Sequence, residues 1–292
     1  MKKILLPLLM IVAANTACAE APKPLLWKVS DADNSLYLLG SFHMLKASDY
    51  PLATATDLAF EDAEQLYFEL APEEMNNPAL GKKMAQAAMR TDGKTLQQSL
   101  SPDAWKKLEA IAKKNNLPIA NFQAFEPWFV TLILSVTEMT KMGLDPALGL
   151  DKYFMERAAK AGKSAKGLET GDSQIAIFDN MTAKEQEQFL LDALDESADM
   201  KTKIDELHDT WRNADDKTLF NKMAGDMRKK YPELYQSINV ERNEAWLPKL
   251  ERMLKDNNKD DVMVIVGSLH LVGDDGIVKM LQDHGYQVER ME

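Results

Sequence analysis

An apolar run ending in Gly-Ser-x-His occurs twice, near opposite ends of the chain. Leu38-Leu39-Gly40-Ser41-Phe42-His43 and Ile265-Val266-Gly267-Ser268-Leu269-His270 are each strand-like segments halted by a glycine, with a histidine three residues on. The chain has only 4 histidines, so finding two of them in matched settings is not an effect of composition. Glycine lets the backbone turn sharply and serine bonds nearby backbone, so both loops can aim a histidine in the same way. The chain must therefore fold so that two distant segments build equivalent strand ends.

The neighbouring sequence says where those ends lie. Leu25 to Leu39 reads as a hairpin, with Trp27, Val29 and Leu36 to Leu39 flanking the turn Asp31-Ala32-Asp33-Asn34. Beyond His43, Ser48 or Asp49 can cap a helix from about Pro51 that carries Leu52, Ala55, Leu58 and Ala59 on one face. Gln65 to Leu70 reads as the next strand. Strand, helix and strand together have the length of a βαβ unit with parallel strands and a right-handed crossover. That unit places His43 and Glu69 at the carboxyl edge of the sheet, where ligands of open α/β sheets collect. The C-terminal end repeats the plan, with a buried parallel strand over Val262 to Val266, the second histidine loop, a helix from about Asp274 to Asp283 and a last strand over Tyr286 to Val288.

Residues from about 73 to 259 are mainly helical, opened in places by Ser101-Pro102-Asp103 and by the capping box Thr182 to Glu185. One interruption is predicted, a short strand over Ala165 to Leu168 ending on Glu169; Asn115 to Pro118 and Asp256 to Asp260 read as loops. No low-complexity linker divides the chain. The expected fold is α/β (α+β), a mixed β-sheet built from the N- and C-terminal segments (about 25–72 and 260–292) with a large helical insertion, in one domain spanning 20–292. The 17 methionines are spread along helical stretches, as flexible core filling would require.

The first 19 residues read as a signal peptide, with Lys2 and Lys3, the apolar run Ile4 to Ala14 and the small-residue cleavage site Ala17-Cys18-Ala19. The expected product is exported, periplasmic or secreted, starting near Glu20. Lipidation at Cys18 is disfavoured because Asn15 stands where such signals carry an aliphatic residue. Once the only cysteine is removed, no disulfide, thiolate ligand or thiol nucleophile remains. A composition 45% hydrophobic and 28% charged supports a packed core, and the net charge of −11 disfavours nucleic acid as a partner. No run is long enough to predict a transmembrane segment, and oligomeric state is left open.

Chemistry must then rest on oxygen and nitrogen groups. Two neutral imidazoles and one carboxylate are the first shell of many hydrolytic zinc sites, with a position open for water. The same donors suit manganese, cobalt or iron, so they do not identify the ion, and without a metal a histidine and a glutamate can activate water directly. His208, between Glu206 and Asp209, reads as solvated, and His284 as a cation at a helix C-terminus.

The arrangement resembles the TraB/GumN family, whose animal relatives are the Tiki proteases. The resemblance is carried by Gly40 to His43, Tyr67-Phe68-Glu69-Leu70, Glu126-Pro127-Trp128, Gly149-Leu150-Asp151, Gly167-Leu168-Glu169-Thr170, Glu241-Arg242-Asn243, and Gly267 to His270 followed by Gly273 and Gly276. It implies a metal-dependent hydrolase, a peptidase acting on a peptide or protein substrate, centred on His43, Glu69 and His270 as ligands of a divalent ion (Zn, Mn or Co). It also implies that Arg242 faces the site, while Glu169 and Arg242 can equally form a structural ion pair; a kink at Pro248 can orient the arginine. The wider superfamily includes metal-independent esterases and a haem-iron binding protein. A non-catalytic periplasmic binding protein for metal, haem or peptide is therefore the alternative.

Overall fold

The computed structural model describes residues 20–31, 33–195, 200–255 and 260–292. The expected leader with Cys18 lies outside the described residues, as do Ala32 of the hairpin turn and 256–259 of the expected loop. One mixed sheet carries the fold. Its six strands are β1 (Leu26–Ser30), β2 (Ser35–Ser41), β3 (Gln65–Leu70), β4 (Ser164–Glu169), β5 (Val262–Gly267) and β6 (Gln287–Met291), in spatial order β4-β3-β5-β2-β1-β6.

β5 takes an inner position because Val262 to Val266 are all buried, and a strand apolar on both faces needs a neighbour on each side. β1 and β2 form the predicted antiparallel hairpin, and β6 adds antiparallel to the free edge of β1. β2, β3 and β4 all run parallel to their partners on the other side. One expectation changes: β2 and β3 are parallel, as a βαβ unit requires, but β5 lies between them. The C-terminal strand is more apolar than either and separates them. As a result the two histidine-bearing strands are adjacent, with Gly40 beside Val266 and Ser41 beside Gly267.

The helix after His43 runs Thr54–Asp62, later than predicted, and Asp49 sits in a separate turn, accepting from the Lys46 backbone N–H rather than capping that helix. Its buried face is Ala55, Thr56, Ala59 and Phe60, whereas Leu58 is 62% exposed. Phe60 packs on Phe154 at 5.7 Å, and the larger aromatic surface sets the helix rotation. His208 also departs from expectation. It is buried, with Nε2 2.8 Å from Asp49 Oδ2, and its ring stacks on Trp211. Ile204, His208 and Trp211 share one face of the helix Met200–Arg212, so helical spacing outweighed the charged neighbours.

Helices Leu150–Ala161, Met200–Arg212 and Glu241–Lys255 give Phe154, Trp211 and Trp246 to the sheet core. Helices Pro102–Lys114, Pro127–Lys141 and Ala183–Asp195 enclose a second core around Leu108, Phe122, Val130, Leu134 and Leu190. The predicted caps are present: Ser101 accepts from the Ala104 N–H, and Thr182 and Glu185 bond each other's backbone. Among the described residues no helix is long and apolar enough to cross a membrane.

Candidate functional site

Each predicted residue enters the site from the carboxyl end of a strand or from the helix that covers it. β2 ends at Ser41, and Phe42 leads to His43. Gly149 packs so closely on this loop that a Cβ there would lie 2.1 Å from the His43 carbonyl oxygen. Only glycine permits that approach, and it docks the helix Leu150–Ala161 with Asp151 in its first turn. The Asp151 carboxylate accepts from the Ser41 hydroxyl and from His43 Nδ1, the latter at 2.7 Å. Its negative charge, with the hydrogen bond it accepts, pushes His43 up to about 9. The His43 ring is 61% exposed, with Nε2 turned toward Glu69.

The second loop is tied to the first, since Ser268 Oγ donates to the Ser41 carbonyl at 2.8 Å. His270 Nδ1 bonds Asn243 Oδ1 at 2.7 Å, and the ring packs on Trp246 with centroids 4.6 Å apart. Burial drives His270 down to about 3, so its imidazole is neutral, with the proton on Nδ1 assigned from this bond. The free Nε2 lone pair accepts from Arg242 Nη1 at 2.9 Å.

Glu69 reaches in from β3, on the far side of β5. Its Oε1 accepts from the Gly267 N–H at 2.7 Å and lies 3.9 Å from Nε2 of both His43 and His270. Its Oε2 accepts from Arg242 Nη2 at 2.7 Å. Burial would raise this carboxyl; the Arg242 charge, the strongest of the opposing influences, holds it well below the usual carboxylate range. Glu169, at the end of β4, takes two bonds from Arg242 and one from Gln174. The guanidinium also lies over Trp246 at 4.8 Å. A π-helical turn, Gln236–Val240, immediately precedes the helix Glu241–Lys255 that carries Arg242. This irregular turn lies upstream and is nearer to Arg242 than Pro248, and such turns re-aim side chains.

Gly267 keeps the centre open. A Cβ there would come within 3.2 Å of both Glu69 Oε1 and His43 Nε2, inside the space the two share. The structure thus brings together His43, Glu69, Glu169, Arg242 and His270. Among the described residues no group of three or more His, Asp or Glu side chains is already arranged to hold a metal ion. Arg242 instead holds His270 Nε2 and Glu69 Oε2. Sequence reasoning did not assign roles to Asp151, Asn243, Gln174 or Trp246; the signal was available for the first two, within Gly149-Leu150-Asp151 and Glu241-Arg242-Asn243. Glu126-Pro127-Trp128 serves elsewhere: Glu126 pairs with Arg90, and Trp128 lies in a helical core. A cavity of about 290 Å³ opens beside His43, Glu69 and Asp151. A larger one of about 500 Å³, among Gln65, Lys166, Lys249 and Arg252, shares no residue with it.

A profile of the TraB/PrgY/gumN family matches residues 25–290. The chain belongs to the TraB/PrgY/gumN family. An uncharacterized protein, YbaP, of Escherichia coli (strain K12) is 25% identical over 250 residues, spanning 84% of this chain and 87% of its own; YbaP of Shigella flexneri matches to the same extent. No solved structure matches. The matched span includes both histidine loops and Glu69, Glu169 and Arg242.

Proposed function

We propose that this protein is an exported hydrolase of peptide-like substrates, with His43, Glu69 and His270 as ligands of a divalent metal ion. One observation carries the reading: Asp151 and Asn243 hold the Nδ1 atoms of the two histidines, which leaves both Nε2 atoms converging on Glu69 Oε1 at 3.9 Å. Carboxylate or amide acceptors behind metal-binding imidazoles fix ring orientation in this way. The nitrogen and oxygen donors fit Zn, Mn or Co, and Gly267 puts no side chain of its own among them. A bound ion would polarise the scissile carbonyl and acidify a water.

The chain's own groups do the rest. His43 and His270 would hold the ion through Nε2, which would require the His43 proton to leave and Arg242 Nη1 to withdraw from His270. Arg242 stays anchored on Glu169 and stabilises the oxyanion formed when water adds to the carbonyl. As the C–N bond breaks, a proton originating on that water passes to the departing amine. Glu169 has both oxygens engaged by Arg242 and Gln174, so its role is to hold Arg242 rather than to act as a base.

The hydrogen bond from Arg242 to His270 Nε2 favours a second reading, metal-free hydrolysis with His43 and Asp151 moving the proton. Elemental analysis of protein purified from its native compartment, beside His43→Ala and His270→Ala, tests the metal. Metal present in the parent and lost in both variants is expected; equal binding by all three overturns the shared site. Cleavage of a peptide library that survives exhaustive chelation selects the metal-free reading, and metal binding without any cleavage selects a binding protein. Export is tested by whether the exported polypeptide begins near Glu20.

A further inference from the structure

The cavity beside His43 is lined by both polar and apolar side chains. Phe68 and Leu70 at the end of β3, Met75 and Met155 form its apolar part, and Lys152 lines it as well. Asp151 and Met155 are four residues apart on the helix Leu150–Ala161, so one face of that helix both orients His43 and walls the cavity. Phe68, Leu70 and Met155 are buried, whereas Met75 is 45% exposed at the rim. At about 290 Å³ the cavity is at the lower limit for a ligand site, the size of one large side chain with its flanking backbone.

Two further features narrow the occupant. Methionine walls are flexible and polarisable, so they adapt to Leu, Met or Phe without favouring one shape. Lys152 makes no ion pair with any described residue, although the site around it holds several carboxylates, each already engaged. A cation without a carboxylate partner, lining a pocket that also has an apolar wall, is a complement for a ligand carboxylate.

We propose that this cavity is the subsite for a large apolar residue of the substrate, and that Lys152 binds a carboxylate next to that residue. The substrate class is a peptide with Met, Leu or Phe adjoining the scissile bond, followed by a terminal or side-chain carboxylate. Only the statement that the adjoining bond is cut rests on the hydrolase reading. Binding to the pocket can be measured without turnover.

The test is an NMR titration of the mature protein carrying 13C-methyl methionine, with Met75→Leu and Met155→Leu assigning the two resonances. N-acetyl-methionine and N-acetyl-phenylalanine should shift both signals and bind at least tenfold more tightly than N-acetylglycine. Their amides should bind several-fold more weakly, and Lys152→Ala should abolish that difference. N-acetyl-Met-Asp-amide, whose carboxylate is on a side chain, separates the two carboxylate sources: tight binding that Lys152→Ala weakens places the anion on a side chain, and weak binding places it at the chain end. Met155→Trp should fill the pocket and remove binding; if that variant does not fold, Met75→Asp at the exposed rim must weaken apolar ligands. Equal affinity for N-acetylglycine, shifts confined to other methionines, or indifference to Lys152→Ala overturns the proposal. Selective binding with no cleavage of matching peptides would leave the subsite standing and remove the hydrolase.

Discussion

Replacing Arg242 with methionine separates a structural role from a bystander one. The guanidinium contacts Glu69 and Glu169, and the three side chains are only 15%, 11% and 10% exposed in that order. Methionine keeps much of the length and removes the charge, leaving two carboxylates in a poorly solvated space. Removing one partner of a buried ion pair costs about 3–5 kcal/mol, because the remaining charge is uncompensated. At about 2–4 °C per kcal/mol for a protein of this size, the melting temperature should fall by roughly 6–20 °C at pH 7. The pH dependence carries the sharper test. In the parent, Glu69 is held below its ordinary value of 4.5, so its contribution is fully present above pH 4.5 and is lost as pH falls through the lower native value. In the variant, burial acts on Glu69 without its principal opposing charge, so its pKa rises and protonation relieves the strain. The stability gap should therefore be widest near neutrality and narrow as pH falls toward 4, read by thermal unfolding across that range. A loss below about 1 kcal/mol, the level of an exposed pair, or a gap independent of pH, would refute the reasoning.

Asp151→Asn removes the charge that raises His43 most, so the midpoint of the His43 ring signals in a pH titration should fall from about 9 toward 6.5; no change would mean that another group sets it. Gly267→Ala pushes a methyl to 3.2 Å from Glu69 Oε1 and His43 Nε2, and should weaken divalent-metal binding about 10–100-fold, as neighbouring-shell changes do, while the melting temperature stays close to the parent's. Asp49→Asn strikes a fully buried carboxylate that would be raised by burial but is held down by His208, the Lys46 N–H and Arg212. Stability from that carboxylate exists above about pH 3.9 and is lost as pH falls through its depressed native value, so the variant should be about 3 kcal/mol less stable at pH 7 and converge on the parent in acid.

The fold was legible where one physical signal dominated. Val262 to Val266, short, largely β-branched and wholly apolar, suits a buried strand, and the repeated Gly-Ser-x-His assigns two histidines to strand ends. Strand order was not legible, because local sequence does not say that β5 will come between β2 and β3. His208 was misplaced because its charged neighbours suggested a solvated face, and Leu58 because periodicity grouped it with Ala55 and Ala59; the faces are set by His208 and Trp211 on one helix and Phe60 on the other, where Asp49 and Phe154 meet them from elsewhere in the chain. Asp151 and Asn243 were visible as members of short motifs. Their function emerges only when Gly149 brings a helix onto the His43 loop and the π turn brings Arg242 and Asn243 against His270.

Arg242 also decides how a metal would enter. It donates to His270 Nε2 at 2.9 Å and to Glu69 Oε2 at 2.7 Å, so two of the three proposed ligands are satisfied by a cation the chain already has. A divalent ion must compete with that guanidinium for His270 and with the proton on His43, and both competitions lower its apparent affinity at neutral pH. Arg242→Met removes the first competitor and leaves the two acids unpaired. Calorimetric titration with Mn or Zn should then show tighter binding than in the parent, and saturation should restore part of the lost stability, about 2.7 kcal/mol at a hundredfold excess over Kd. On the proposed hydrolase reading, turnover should fall in the same variant, because the oxyanion would lose its cation. If metal affinity is unchanged while stability drops, Arg242 is only the partner of Glu69 and Glu169, and the metal lies elsewhere or is not used.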